Sequence, residues 1–245
     1  MKYAVLSDVH GNLHALEAVL EYLQRVAPDR IVFLGDAVGY GAFPNECVAR
    51  LREVAEVALM GNHDYAVLNP SERTVFNPYA REAIDWTDRQ LTPETRQYLA
   101  RLPLKTQLAP GLCAVHASPH DPREWLYILH PAQAQVQFQF FDGSLCLFGH
   151  THRSIVYREA SGPEAEIVLQ GEGTLYLEPG ARYLVNPGSV GQPRDGDPRA
   201  SVLLLDTDTG HLEIHRLPYP IEKAQRAILQ AGLPAFLAER LAAGY

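Results

Sequence analysis

The sequence has 245 residues, of which 47% are hydrophobic and 20% are charged. This composition is typical of a folded domain and excludes an intrinsically disordered chain, and the length fits a single domain over residues 1–245. The net charge of -8 argues against an extended nucleic-acid surface or a membrane-binding face, because both need clustered lysine and arginine.

The first part of the chain alternates apolar runs with helical patterns. The runs YAVLSD, RIVFLGD and VALMGN are aliphatic and stop at polar residues, which is typical of strands buried on both faces. Leucine and valine recur at helical spacing over residues 13–26, and a second helix is predicted after Pro44. This alternation predicts a parallel sheet built from right-handed strand–helix–strand crossovers.

Residues 65–110 interrupt this alternation. Two helices are predicted at about 78–91 and 93–101, the second with Thr92 as its N-cap and Pro93 at its first position. We interpret the segment as a helical insertion that covers one side of the cleft at the strand ends.

The rest of the chain is predicted to be richer in β-structure. LCAVH and LCLFGH predict two more buried strands, and the segment between them that begins at Pro131 fits a helix or a strand. From about 154 to 216, short runs separated by turn residues predict an antiparallel β-rich part packed against the first sheet. Two amphipathic helices are predicted at about 220–231 and 234–242.

The five early strands each end in side chains that bind metal ions. Because the carboxyl ends of parallel strands meet at one edge of a sheet, we expect these side chains to converge on one crevice. The members of the pairs Asp8/His10 and His150/His152 are two residues apart, so in extended backbone each pair points to one face and can chelate. The candidate ligands are Asp8, His10, Asp36, Asn62, His116, His150 and His152.

Seven ligands are one short of two four-ligand shells, so one carboxylate must bridge if two ions are held evenly. We assign Asp36 as the bridge. The first ion would take the first chelating pair together with His152, and the second would take Asn62, His116 and His150. The mixed oxygen and nitrogen donors fit Mn, Fe, Zn, Co or Ni, and argue against calcium or a purely structural zinc site.

Two divalent ions at this spacing predict phosphoester chemistry. With two carboxylates and a bridging hydroxide, the cluster keeps about one positive charge and should attract a phosphate oxyanion. The metal-bridging hydroxide would act as the nucleophile in an in-line displacement at phosphorus. His63 follows the ligand Asn62, and we predict that Asp64 hydrogen-bonds its imidazole so that His63 protonates the leaving oxygen.

These motifs resemble those of the calcineurin-like metallophosphoesterases, whose pattern is DxH, GD, GNHD or GNHE, a single H, and GHxH. Residues 8–10, 35–36, 61–64, His116 and 149–152 match that pattern in order and spacing. The resemblance implies an α/β fold, an αββα four-layer sandwich of two packed mixed β-sheets flanked by helices. It also implies the ligand, bridging and acid roles given above. The segments VGYGAFPNE, VHASP and NPGSVGQPRDGDPRAS resemble a bacterial branch of small cytoplasmic members.

Three further residues are candidates for substrate binding. Tyr40 lies in a glycine-flanked turn and would stack on a nucleobase, although the segment also fits a simple turn. Ser189 and Arg194 belong to a glycine-rich loop that would cradle a phosphate, although such loops commonly just connect strands and this one lacks a Walker lysine. Asn12 fits a helix cap and a supporting role near the ligands equally well.

We therefore predict a dinuclear metal-dependent hydrolase of small phosphorylated substrates, with phosphodiesters first and phosphomonoesters second. The alternatives are a non-catalytic protein-interaction scaffold of the same fold, a serine/threonine protein phosphatase and a dinucleoside polyphosphate hydrolase. His63 beside a full ligand set favours the enzyme, because a scaffold needs no general acid.

Cysteine use and the start of the chain indicate a reducing compartment. Cys47, Cys113 and Cys146 are too few and too scattered for a disulfide framework. Cys113 and Cys146 lie in apolar, strand-like runs, so we expect them to be buried, unreactive thiols. The first apolar stretch is far short of a signal-peptide core or a membrane span. We expect a cytoplasmic protein.

Overall fold

Two six-stranded β-sheets pack face to face, and helices cover both outer faces. The computed structural model describes all 245 residues. The strands are β1 (Lys2–Leu6), β2 (Arg30–Phe33), β3 (Val57–Ala58), β4 (Lys105–Ala109), β5 (Leu112–Val115), β6 (Leu145–Leu147), β7 (Ser154–Arg158), β8 (Glu166–Gln170), β9 (Gly173–Tyr176), β10 (Tyr183–Pro187), β11 (Ala200–Asp206) and β12 (His211–Leu217). The helices are α1 (Leu13–Val26), α2 (Pro44–Val54), α3 (Asn62–Leu68), α4 (Pro78–Gln90), α5 (Pro93–Leu99), α6 (Pro131–Gln137), α7 (Ile221–Gln230) and α8 (Ala235–Ala243).

Both sheets are mixed. The first has the strand order β3-β2-β1-β11-β12-β9, and the second has the order β4-β5-β6-β10-β7-β8. Strand β2 pairs in parallel with β1 and β3, and β6 pairs in parallel with β5 and β10, whereas the other neighbours are antiparallel. The predicted αββα four-layer sandwich is thereby confirmed.

Two expectations about strand partners are wrong. The early strands do not form one parallel sheet, because β1, β2 and β3 lie in the first sheet and β5 and β6 in the second. The late β-rich part is not a separate addition either, since β9, β11 and β12 extend the first sheet and β7, β8 and β10 extend the second. An apolar run indicates burial, but it does not identify the strand that will lie beside it.

Strand β1 shows how the layers are built. Tyr3 and Val5 point into the core between the two sheets, whereas Ala4 and Leu6 point into the core beneath the helices. Because both faces of the strand are covered, it is hydrophobic at every position from Tyr3 to Leu6. A third core, which includes Phe138, lies on the outer face of the second sheet beneath α6.

Helix α1 links the first sheet to the loop after β10. The side-chain oxygen of Asn12 accepts a hydrogen bond from the Ala15 N–H at 3.2 Å, which caps the helix and typically contributes about 1 kcal/mol. The amide nitrogen of Asn12 donates to the Gly191 carbonyl at 2.8 Å. Both interpretations of Asn12 are therefore correct, because the residue caps the helix and also supports a loop beside the ligands.

The predicted insertion contains α4, α5 and the last four residues of α3, which begins earlier at Asn62, and its helical part ends before residue 110. Lys105–Ala109 forms β4 at an edge of the second sheet, so the range 65–110 includes five strand residues. Phe76, between α3 and α4, places its ring 5.0 Å from the ring of His63. The insertion thus covers the side of the cleft on which His63 lies.

The remaining predictions concern the second half of the chain and the thiols. The segment at Pro131 is helical, and α7 and α8 match the two predicted C-terminal helices. No helix combines the length and the apolar character that crossing a bilayer requires. Cys47 and Cys146 are buried, but Cys113 is only half-buried, and all three are free thiols.

Candidate metal centre

The seven predicted ligands lie at one end of both sheets, six of them in loops and Asn62 at the first residue of α3. Those that follow β1, β2 and β3 come from the first sheet, and those that follow β5 and β6 come from the second. All seven side chains are buried. Of the eight non-glycine residues with a left-handed backbone, five are predicted ligands: Asp8, His10, Asp36, His150 and His152.

The first ligand group is built from Asp8, His10 and His152. The Asp8 Oδ1 atom lies 3.3 Å from His152 Nε2 and 3.8 Å from His10 Nε2. The two imidazole Nε2 atoms are 3.1 Å apart. Their ligand atoms all lie within 4.8 Å of one another, as a shared cation requires.

The second group is built from Asn62, His116 and His150. The Asn62 Oδ1 atom lies 3.3 Å from His116 Nε2. The ligand atoms of His116 and His150 lie within 4.8 Å of an oxygen of Asp36. The structure therefore brings the members of each predicted group together, and the ligand atoms of His10, Asp36 and His63 also lie within 4.8 Å of one another.

Asp36 stands between the two groups. Its Oδ2 atom is 3.5 Å from His10 Nε2 and 3.5 Å from His116 Nε2. The other carboxylate oxygen accepts a hydrogen bond from the His63 backbone N–H at 2.8 Å. One oxygen therefore anchors the side chain while the other faces both groups, as a bridging carboxylate would.

Unpaired polar atoms show that these residues fit a pair of cations. Asp8 Oδ1, Asp36 Oδ2 and His150 Nε2 are buried and have no hydrogen-bond partner. A buried polar atom without a partner typically costs about 1–3 kcal/mol, so such atoms are rare. Three in one cluster, all of them good donors to divalent metals, are accounted for if metal ions bind there.

The other ring nitrogens of three histidines are held by backbone carbonyls. Nδ1 of His10 contacts the Val38 oxygen at 3.0 Å, and Nδ1 of His116 contacts the Leu34 oxygen at 2.9 Å. His152 Nδ1 contacts the Gln192 oxygen at 2.6 Å. Each contact places the proton on Nδ1 and leaves Nε2 free to bind metal.

Burial and mutual charge set the pKa values of these groups. Burial opposes ionisation of Asp36, but the neighbouring His116 and His63 hold its pKa well below the usual range. Burial also disfavours a charged His116, yet Asp36 raises the pKa of His116 to about 9. Burial and the charge of His116 lower the pKa of His150 to about 3. Asp36 thus favours the charged form of His116, and the charge of His116 in turn disfavours a charged His150.

Asp64 does not orient His63, which corrects the prediction. Its two carboxylate oxygens accept hydrogen bonds from the backbone N–H groups of Asp36, Ala37, Val38 and Gly61 at 2.8 to 3.2 Å. His63 Nδ1 has no hydrogen-bond partner. Asp64 therefore fixes the backbone beneath the bridge, because these four donors occupy its carboxylate.

Aromatic rings hold His63 instead. Its ring lies 4.4 Å from the ring of Tyr40, 4.7 Å from that of His10 and 5.0 Å from that of Phe76. Gly39 leaves room for it, since a Cβ atom there would lie 2.4 Å from His63 Nδ1. His63 is therefore packed beside the first ligand group.

Of the three predicted substrate-binding residues, two lie at the centre and one does not. Tyr40 is buried, with its ring 4.7 Å from that of His10. Arg194 is half-buried, with Nη2 3.5 Å from the Tyr40 hydroxyl. Ser189 is fully buried, and its hydroxyl donates to the Asp8 carbonyl at 2.8 Å, so it supports the first ligand loop and is closed to substrate.

Two aromatic residues that were not predicted from the sequence lie beside the ligand histidines. Tyr127 is 46% exposed and its ring lies 4.1 Å from that of His150, and the ring of Trp125 lies 6.0 Å from that of His116. Trp125 and Tyr127 follow His116 closely in the sequence, and this position is the feature from which they could have been predicted.

Known proteins are similar to this chain in sequence and in fold. A family model of the calcineurin-like phosphoesterase superfamily domain matches residues 1–210. An uncharacterized Methanocaldococcus jannaschii protein is 41% identical over 244 residues, which cover 98% of this chain and 97% of that protein. A metallophosphoesterase from Sphaerobacter thermophilus has 43% identity and a TM-score of 0.89 over 100% of both chains. A hypothetical protein from Pyrococcus horikoshii, 19% identical, has the same fold, with a TM-score of 0.79 over 100% of this chain and 98% of that chain.

Proposed function

Since the chain belongs to the calcineurin-like phosphoesterase superfamily, we propose that it hydrolyses small phosphoesters, phosphodiesters first, with two divalent metal ions. The observation that carries the proposal is the position of Asp36 Oδ2. That atom has no hydrogen-bond partner and lies 3.5 Å from a histidine nitrogen of each ligand group. The complete ligand set favours an enzyme over a scaffold.

The metal-binding residues define where phosphate would bind. Two divalent ions held there would lower the pKa of a shared water and polarise the phosphoryl oxygens. Asp8 and Asp36 supply only two negative charges, so the loaded centre keeps a positive charge that attracts an oxyanion. Arg194, whose guanidinium Cζ atom lies 5.8 Å from the centre of the Tyr40 ring, adds a further positive charge nearby.

We assign His63 as the acid that would protonate the leaving oxygen. Burial lowers the pKa of His63 to about 4, with Asp36 opposing and Arg194 adding to the shift. A phosphate oxyanion beside the ring would raise that pKa, because negative charge favours the imidazolium form. Protonation of His63 would therefore accompany substrate binding, and the proton would pass from the ring to the departing alkoxide.

The test is a matrix of metals and substrates. Metal-free protein is loaded with Mn, Ni, Co, Zn or Mg and assayed against phosphomonoesters, phosphodiesters, cyclic nucleotides and dinucleoside polyphosphates. We expect hydrolysis with at least one metal, and a loss of about 10²-fold or more in His150→Ala, since metal catalysis contributes several kcal/mol. His211→Ala is the matched control, because His211 pairs with Glu213 outside the centre. Folded, metal-loaded protein that hydrolyses nothing in the matrix would refute the proposal.

A further inference from the structure

An exposed apolar segment lies beside the metal centre. It runs from Trp125 to Leu129 and contains no charged residue. Three of the twelve exposed large hydrophobic side chains belong to it, namely Leu126, Tyr127 and Leu129. Neighbouring exposed apolar side chains of this kind often mark a ligand-binding groove. A ligand group that binds here would therefore be apolar rather than charged.

The segment is anchored immediately after Tyr127. Ile128 is buried in the core beneath α6. The backbone N–H groups of Leu129 and His130 donate to Gln133 Oε1 at 2.9 Å and 3.1 Å, which ties the segment to the first turn of α6. The exposed tyrosine is thus carried by a backbone that is fixed on its C-terminal side.

Two aromatic rings of the segment border ligands of the second group. The ring of Tyr127 lies 4.1 Å from that of His150 at an angle of 31°, and the ring of Trp125 lies 6.0 Å from that of His116. Trp125 has a left-handed backbone with a φ of 51°, which is uncommon for a bulky residue and is kept only where the surroundings require it. His150 is buried whereas Tyr127 is exposed, so the tyrosine covers the ligand and remains accessible from the cleft.

We propose that Tyr127 determines specificity by stacking on an aromatic ring of the substrate while the phosphoryl group occupies the metal centre. Tyrosine stacks favourably on planar aromatic groups, and every nucleobase offers such a face. Leu126 and Leu129 add apolar surface next to it. The substrate class is then a phosphoester whose alcohol carries a planar aromatic ring, as a nucleotide does. This inference rests on the proposed function, because the phosphoryl group must lie at the metal centre.

Three phosphonates that cannot be hydrolysed test the stacking. Propylphosphonate offers the anion and the linker, 3-phenylpropylphosphonate adds an aromatic ring, and 3-cyclohexylpropylphosphonate adds a saturated ring of similar size. Their dissociation constants are measured by calorimetry on protein loaded with Mn²⁺. The readout is the ratio of the affinities of the phenyl and propyl compounds, so any change in binding of the phosphonate group itself cancels.

The phenyl compound should bind the wild type about tenfold more tightly than the propyl compound, which corresponds to about 1.4 kcal/mol. It should also bind more tightly than the cyclohexyl compound. Tyr127→Phe should keep the ratio, and Tyr127→Leu should reduce it to about threefold or less. Tyr176→Leu is the matched control, because Tyr176 is exposed and its ring lies 4.6 Å from that of His211 at 32°, outside the centre.

The remaining outcomes would overturn the inference. A wild-type ratio near one, equal affinities for the phenyl and cyclohexyl compounds, or no binding of any phosphonate would each reject stacking. A wild-type ratio in Tyr127→Leu, with all three phosphonates weakened equally and the metal content lowered, would mean that Tyr127 only positions His150. A protein that hydrolyses no ester in the matrix refutes the proposed function, whereas the calorimetric ratio still decides whether Tyr127 binds an aromatic group.

Discussion

At five of the seven ligand positions the backbone is left-handed, with φ between 49° and 64°. Such a conformation is uncommon for non-glycine residues, although aspartate and histidine tolerate it better than most, and each instance costs roughly 1–3 kcal/mol. The residues keep it because the turn aims their donor atoms at a common point. The DxH and GHxH motifs thus reflect a backbone requirement as well as a choice of ligands.

His63→Ala tests the predicted acid. The variant should retain metal, because the imidazole of His63 belongs to neither predicted ligand group, and should lower kcat by about 10²- to 10⁴-fold on a substrate with an unactivated leaving group. On a 4-nitrophenyl ester the loss should be much smaller, since that leaving group departs without a proton. Parallel rate constants for the two substrates check this, and an equal loss on both would remove His63 from that role.

Gly39→Ala tests how His63 is positioned. Gly39 has a φ of +89°, and an added Cβ would lie 2.4 Å from His63 Nδ1, so the ring must move. We expect a fall in kcat that mirrors the His63→Ala pattern while the metal content stays at the wild-type level. Gly162→Ala is the matched control, because no atom lies within 4 Å of a Cβ built there. Wild-type rates in Gly39→Ala would contradict this account of the packing.

Single residues also show where sequence reasoning stops. Ligand types and order predicted a metal-binding set, because few arrangements other than a metal site use this combination of donors, and the structure brings those side chains together. The partners of Asp64 and the burial of Ser189 depend on which backbone N–H and C=O groups the loops bring within reach. Almost every residue carries the same backbone N–H and C=O groups, so the sequence does not show which of them will form hydrogen bonds with these side chains.

At the scale of elements, Arg73 connects helix α3 to helix α4. It donates to the carbonyl oxygens of Ala66 at 3.0 Å and Val67 at 2.9 Å, and it pairs with Asp85 at 3.0 Å and Asp88 at 2.9 Å. The side chain is 12% exposed, so these contacts are shielded from water. These contacts of the Arg73 guanidinium thus stabilise the insertion, whose Phe76 ring packs against His63.

Arg73→Met should lower the free energy of unfolding by about 1–3 kcal/mol at pH 7, because two carbonyl groups of buried residues and two partly exposed carboxylates lose a charged donor. Arg89→Met, at an exposed residue of α4 that forms no ion pair, is the control. Urea denaturation of the three proteins measures the difference, and equal loss in both variants would contradict the role of Arg73.

The difference in unfolding free energy between wild type and Arg73→Met should depend on pH. Burial opposes ionisation of Asp88, but Arg96 and Arg73 lower its pKa below the ordinary value. A carboxylate with a depressed pKa stabilises the fold above its unfolded pKa of about 4, and this stability is lost as the pH falls through the folded value. The difference between wild type and Arg73→Met should therefore narrow below about pH 4. A constant difference from pH 7 to pH 3 would show that Asp88 contributes nothing.

Element types were predictable, whereas strand partners were not. Helix α1 and the two C-terminal helices follow from apolar spacing, since that pattern is local. Strand β4 was assigned to the insertion because KTQLA carries little apolar signal at the edge of a sheet. The division of the early strands between two sheets depends on contacts between distant segments, which local patterns do not encode.

At the scale of the whole molecule, the predicted metal ligands come from two sheets that are otherwise held together by their apolar interface. Ligands from the first sheet and from the second sheet share Asp36 as their common neighbour. Bound ions would therefore stabilise the packing of one sheet on the other at this end. They would also provide a binding partner for the unpaired atoms Asp8 Oδ1, Asp36 Oδ2 and His150 Nε2.

Chelation should lower the melting temperature by on the order of 10 °C. An ion present at a thousandfold excess over its Kd stabilises the native state by about 4 kcal/mol, and each kcal/mol shifts Tm by about 2–4 °C at this size. Thermal unfolding followed with and without chelator measures the change, and readdition of metal should reverse it. A melting temperature that is insensitive to chelator would mean that no tightly bound ion stabilises the fold.

The most direct measurement is the metal content of wild-type protein and of Asp36→Asn by elemental analysis after dialysis. The account predicts two ions per wild-type chain and the loss of both in the variant, because the bridging oxygen serves both ligand groups. Asp142→Asn, at an exposed site, should keep the wild-type content. Two ions bound to Asp36→Asn with wild-type affinity would contradict the bridging role and the dinuclear centre built on it.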